Sequence, residues 1–103
     1  MEFCIVMTTF ENEQQAAEII EAALSEKKAA CIQTFNIKSH YVWKGEICKE
    51  SELLVWFKTR TSLYEELRDL IKKLHPYETP EIIKIDISDG EKMYLDWINS
   101  VTS

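Results

Sequence analysis

Glycine and proline are scarce, with two of each among 103 residues. Two glycines cannot build a phosphate-cradling loop, and neither GxGxxG nor GxxxxGK[ST] is present. No GxSxG stretch marks a nucleophile elbow. Cysteine occurs three times, at Cys4, Cys31 and Cys48, without a CxxC pair. An odd and widely spaced set gives no disulfide framework and no thiol pair at ligand spacing. No apolar run approaches the ~20 residues of a membrane helix. Positive charge is in deficit: twelve Lys and Arg against eighteen Asp and Glu, a net −6. Non-specific binding to nucleic acid or an anionic membrane needs the opposite balance, so neither partner is expected. There is no repeat, low-complexity tract or linker. The chain enters a strand-like run at Phe3 with no basic lead, so a signal peptide is not expected and reduced thiols in the cytoplasm are.

What is present suits a folded domain: 46% hydrophobic and 29% charged residues. This length predicts one domain over 1–103 with one modest core. The most strand-like stretch is Glu52-Leu53-Leu54-Val55-Trp56-Phe57-Lys58-Thr59, uninterrupted by Gly or Pro. Alternation puts Leu53, Val55 and Phe57 on one face. Glu52, Leu54, Trp56 and Lys58 share the other, which still holds a Leu and a Trp. Such a strand needs cover on both sides and is expected at the centre of a sheet.

The chain reads in order around it. Phe3–Met7 is apolar on both alternating sets and predicts a second central strand. Asn12 caps a helix with Gln15 three residues on, running to about Lys28. Residues 29–43 predict a long strand, with the bend or bulge such length usually brings. Lys44-Gly45 is a hairpin turn, and residues 46–59 return, with a kink expected near Lys49-Glu50. Ser62 and Glu65 form a capping box for a helix striped by Leu63, Leu67, Leu70, Ile71 and Leu74. His75-Pro76 stops it, because a residue before proline is pushed out of the helical region. Pro76–Pro80 is a stiff connector, residues 81–87 predict the fourth strand, and Tyr94, Trp97, Ile98 and Val101 stripe a final helix.

The order βαββαβ plus a helix closes into a ferredoxin-like α+β sandwich: a four-stranded antiparallel sheet with two helices on one face. The face bearing Leu54 and Trp56 is left with only the short last helix. An apolar patch and the free edges of a long hairpin predict association with further copies through the sheets.

Several blocks, in order, carry a family resemblance. They are Thr8-Thr9, Ala29-Ala30-Cys31, Tyr41-Val42-Trp43-Lys44-Gly45-Glu46, Lys58-Thr59-Arg60, His75-Pro76-Tyr77-Glu78-Thr79-Pro80-Glu81 and Tyr94-Leu95-Asp96-Trp97. Over nearly its whole length the chain resembles the CutA family, the small divalent-cation tolerance proteins. The resemblance implies a ferredoxin-like protomer and a tight homotrimer whose long hairpins pair between subunits. It implies a shape similar to the PII signalling proteins, and a link to copper tolerance and copper binding. The copper sites it implies fall on a Cys near the end of the first strand and a His pair opening the His-Pro-Tyr block. In this chain Met7, Thr8 and Leu74 stand at those places, and only His75 matches.

The residues themselves leave alternatives open. Cys4, Cys31, Cys48, His40 and His75 are candidate ligands, since thiolate and imidazole suit copper or zinc, but no two sit at ligand spacing. His75 and Cys31 are the expected metal residues, for copper or another divalent cation. Cys31 reads also as a small buried hydrophobe, and His75 as a helix C-terminal residue bonding free carbonyls. Tyr77, Glu78 and Glu81 sit on the stiff connector, which reads as a binding mount or a tight helix-to-strand link. Trp43, Glu52, Lys58, Tyr77 and Glu81 are the expected ligand-binding set, gathered between subunits. Trp43 reads also as interface packing, and Glu52 and Lys58 as cross-strand charges. No catalytic signature is present and an enzyme is not expected. The rival function is a PII-like sensor or adaptor taking a small anionic metabolite, or a partner protein, at an intersubunit cleft.

Overall fold

β3 (Glu46–Arg60) is hydrogen-bonded on both sides, and the other elements are arranged around it. In the computed structural model, which describes residues 1–103, it is preceded by β1 (Phe3–Phe10), α1 (Glu13–Ser25) and β2 (Cys31–Trp43). A 3-10 turn at Thr61–Leu63, α2 (Tyr64–Leu74), β4 (Ile83–Ile87) and α3 (Lys92–Val101) follow. The sheet order is β2-β3-β1-β4, and every neighbouring pair is antiparallel. This is the ferredoxin-like α+β arrangement expected from the sequence, with β1 and β3 central.

The period of two in the sequence becomes the core. Register places Val6 opposite Phe57, Thr8 opposite Val55 and Phe10 opposite Leu53, so these side chains share one face. All are buried, and α1 seals them with Ala16, Ile19 and Ala23 while α2 brings Leu67 and Ile71. Burying a side chain of this size stabilises by roughly 1.5–3 kcal/mol. Of the threonines at this core, Thr59 Oγ1 donates to the Lys28 carbonyl at 2.7 Å, whereas the buried Thr8 hydroxyl has no partner.

The opposite face is only partly covered. Cross-strand rows there run Ile85, Ile5, Lys58, Cys31 and Ile83, Met7, Trp56, Gln33. α3 lies over one end, where Lys58 Nζ meets Tyr94 Oη at 3.3 Å. Arg60 clasps the end of α3, its guanidinium donating to Thr102 Oγ1 at 2.9 Å and the Thr102 carbonyl at 2.7 Å. The remainder is open: Ile83, Ile85, Phe35 and Trp97 are each 40–47% exposed. Trp56 meets Phe35 edge-on at 5.1 Å, yet its buried indole N–H has no acceptor.

Several boundaries differ from the sequence expectation, each for a physical reason. β1 runs three residues further, because Thr8, Thr9 and Phe10 pair with Val55, Leu54 and Leu53. β2 begins at Cys31 and β4 at Ile83, where the ladder pairs start. The β2–β3 register is unbroken from Cys31–Lys58 to Trp43–Glu46, so no bulge is present and the ladder runs on through Lys49-Glu50. Beyond Leu53, β3 has no β1 partner, and a two-stranded ribbon takes up twist without an inserted residue. The Ser62–Glu65 capping box does not form; Leu63 precedes α2 without a side-chain cap, and Glu65 and Glu66 satisfy the positive end of the helix electrostatically.

α1 stops short of Lys28 at a Schellman cap made without glycine. Lys27 takes φ 61, its N–H reaches the Leu24 carbonyl at 3.1 Å, and the Lys28 N–H reaches the Ala23 carbonyl at 2.9 Å. A left-handed residue with a Cβ costs about 1–2 kcal/mol, of which glycine's looser unfolded state would return about 0.5–1. Lys27→Gly is therefore expected to stabilise the protein by roughly 0.5–1 kcal/mol, read from urea unfolding at fixed protein concentration; a loss of stability would contradict this account of the cap.

Candidate functional site

The connector between α2 and β4 is anchored by its first residue. Pro76 holds His75 at φ −75, ψ 133, which ends α2 and turns the imidazole back over β1. The ring stacks on Phe10 with centroids 4.4 Å apart and 13° between planes. Nε2 lies 2.8 Å from the Thr9 carbonyl oxygen, which can only accept, so Nε2 carries the proton. Nδ1 accepts the Tyr77 N–H at 3.1 Å. The ring is thus a neutral imidazole with both nitrogens engaged. Burial pushes its pKa below the ordinary 6.5, against the opposing pull of the Thr9 carbonyl and the Glu52 charge.

His75 in turn places Tyr77. The two rings meet edge-on at 4.7 Å, and Tyr77 Oη donates to Glu52 Oε2 at 3.0 Å. Burial and the Glu52 carboxylate hold the phenol protonated far above its usual range. This contact ties the connector to the arm, the stretch of β2 and β3 that reaches beyond β1.

Between arm and connector lies a cavity of about 560 Å³. Tyr41, Trp43 and Tyr77 give it aromatic walls. Glu11, Glu50, Glu52, Glu78 and Glu81 give it five carboxylates, with no Lys or Arg in the lining. The Glu50 carboxylate beside Tyr41, helped by local desolvation, pushes that phenol up to about 12. A second groove, on the other side of the arm, is lined by polar residues such as Asn12, Asn36 and Lys38 and has no aromatic wall.

Comparison with known proteins bears on the whole chain. A family profile described as CutA1 divalent ion tolerance protein matches residues 4–101. The chain belongs to this family. The divalent-cation tolerance protein CutA of Thermus thermophilus is 37% identical over 99 residues, covering 95% of this chain and 96% of that protein. The crystal structure of CutA1 from Pyrococcus horikoshii superposes with a TM-score of 0.92 at 38% identity, covering 97% of this chain and 98% of the other. The periplasmic divalent cation tolerance protein CutA from Archaeoglobus fulgidus gives a TM-score of 0.95 at 36% identity, covering 98% and 99%.

In this CutA1-family chain four of the residues expected to form a binding site come together: Trp43, Glu52, Tyr77 and Glu81 all line the cavity. Lys58 does not join them. It lies six residues along β3 from Glu52, with its Nζ over the Tyr94 ring at 5.4 Å from the centroid. Cys31 pairs with Lys58, on the uncovered face of the sheet. His75 sits at the far end of β1, against Thr9 and Phe10, so one chain does not bring His75 and Cys31 together. No three His, Cys, Asp or Glu side chains converge to hold a metal ion. The side chains of one chain therefore do not fit an inner-sphere metal site. Sequence reasoning missed Glu11 and Glu50. Glu50 had a readable signal: it lies two residues from Glu52, and the Lys44-Gly45 turn puts both on the same arm face as Tyr41 and Trp43. Glu11, at the exit of β1, had none.

A histidine kept neutral by burial sets the sign of a pH effect. The unfolded chain protonates at the ordinary 6.5 and the folded chain at a lower pH. Its contribution is therefore complete above 6.5 and is lost as pH falls through the window beneath it. The urea midpoint should decline through this window in the native chain, and the decline should be smaller in His75→Gln; equal declines would remove His75 as the cause.

Proposed function

We propose that this member of the divalent-cation tolerance family works as a cytoplasmic homotrimer that binds cations, without catalysing a reaction, at the acidic cavity between arm and connector. The observation that carries this reading is the lining: five carboxylates and no Lys or Arg around about 560 Å³. Such a cavity attracts cations and repels the anionic metabolite of a PII-like sensor. Because no three ligands converge on a point, a divalent ion, copper or another, is held through its water shell by carboxylates. Site-bound copper shared by His75 and Cys31 would draw the two residues from different chains and give up a hydrogen bond of His75.

The trimer is supported by the partly open second face, where Ile83, Ile85 and Phe35 remain accessible and the Trp56 N–H lacks a partner. A neighbour seated there would cover them and turn the open side of the cavity into a cleft. Free Cys4, Cys31 and Cys48 fit a reducing compartment. The cavity's two phenols are held protonated, and no activated nucleophile accompanies them.

Two measurements test this. Light scattering at micromolar protein should give three times the 12.1 kDa chain mass, and Trp56→Glu should dissociate or unfold the assembly; a native monomer would refute the trimer. Calorimetric titration with Mn2+ should show binding that the Glu50→Gln, Glu81→Gln double variant weakens by about tenfold or more, roughly 1.4 kcal/mol. Undiminished binding in that variant would place the ion elsewhere on the acidic surface.

A further inference from the structure

We infer that the cavity between arm and connector takes an organic dication, a flexible aliphatic diamine protonated at both ends. This rests on the proposal that the cavity binds cations, and adds the chemical class of ligand for which its walls are built. The aromatic walls are the deciding feature. A hydrated metal ion gains little from an indole or phenol face, whereas an alkylammonium is attracted by the ring and buries its methylenes against it. Trp43, Tyr41 and Tyr77 supply three such rings around one space. The Trp43 ring already carries an ammonium: Lys44 Nζ, from the turn and outside the cavity lining, sits 5.6 Å from its centroid.

The distribution of charge fits the same ligand. The carboxylates do not converge in threes, as a point charge would require. Four of the five come from two elements, Glu50 and Glu52 on β3 and Glu78 and Glu81 on the connector, with Glu11 at the exit of β1. Two cationic ends joined by an apolar stem suit carboxylates spread over different elements of an aromatic-lined cavity. About 560 Å³ is the size of a small-molecule site. The site is also partly pre-organised, because Tyr77 is fixed before any ligand arrives, through its N–H on His75 and its hydroxyl on Glu52.

The test uses the full chain in its native assembly, titrated calorimetrically at constant ionic strength with 1,4-diaminobutane, n-butylamine and Mn2+ in turn. The diamine should bind at least tenfold tighter than the monoamine. In Trp43→Leu the ratio of diamine to Mn2+ affinity should fall about two- to thirtyfold, the range of a lost cation–π contact. Trp43→Tyr should recover part of that ratio, and Glu78→Gln should narrow the preference for diamine over monoamine. Light scattering and thermal melting confirm that each variant is folded; should Trp43→Leu not fold, Trp43→Tyr and Glu78→Gln decide. If Mn2+ binds and the diamine does not, or if the ratio is the same in the Trp43 variants, the dication assignment is overturned while cation binding stands. If neither binds, both fall.

Discussion

A strand that is apolar on both faces constrains everything else in this molecule. β3 carries Leu53, Val55 and Phe57 on one side and Leu54 and Trp56 on the other. Leaving either face in water forfeits a few kcal/mol per large side chain, a large share of a small domain's net stability of about 5–15 kcal/mol. One face is fully sealed by α1 and α2. The other is covered at one end by α3 through the Lys58–Tyr94 and Arg60–Thr102 contacts and left accessible across Ile83, Ile85 and Phe35. The asymmetry follows from where the helices lie: α1 and α2 share one face, and α3 alone meets the other.

The cavity arises from the same strand being longer than the core needs. β3 leaves the protection of β1 at Leu53 and continues with β2 alone. Without β1 to screen it, this stretch no longer has to be apolar, and Glu50 and Glu52 stand where the core strands carry Leu54 and Trp56. The connector is held against it by the chain Thr9–His75–Tyr77–Glu52, in which every link is a hydrogen bond of 2.8–3.1 Å. His75 is thus a positioning residue. It reads Thr9 with one nitrogen and Tyr77 with the other, and its ring fills the space beside Phe10 that the end of α2 leaves.

Much of this was legible in the residues. Alternating apolar residues gave the strands and their centrality, and the His75-Pro76 pair fixed the end of α2. What escaped sequence reasoning came from three-dimensional context. The end of α1 depends on Lys27 adopting a conformation its own side chain disfavours, which no local pattern announces. The α2 start differs from the sequence expectation because Ser62 lies inside a 3-10 turn, which leaves Leu63 at the cap position. At the site, Trp43, Glu52, Tyr77 and Glu81 come together within one chain because strand alternation and a rigid connector are local features. Lys58, expected to meet them between subunits, does not meet them within one chain. It shares a strand face with Glu52, but six residues of strand separate the two by about 20 Å.

The pairing of β1 has a consequence for how the chain is made. Phe3 finds its ladder partner in Arg60 and, on the other edge, in Ile87. β2 and β3 meet through a two-residue turn and can zip together as soon as both exist, within microseconds. β1 is made before both of its ladder partners and has no strand to pair with until β3 has followed it. At about 5–20 residues per second that interval is several seconds. A run of apolar residues on both faces spends it unpaired, so of the two central strands β1 is the one more in need of protection during synthesis.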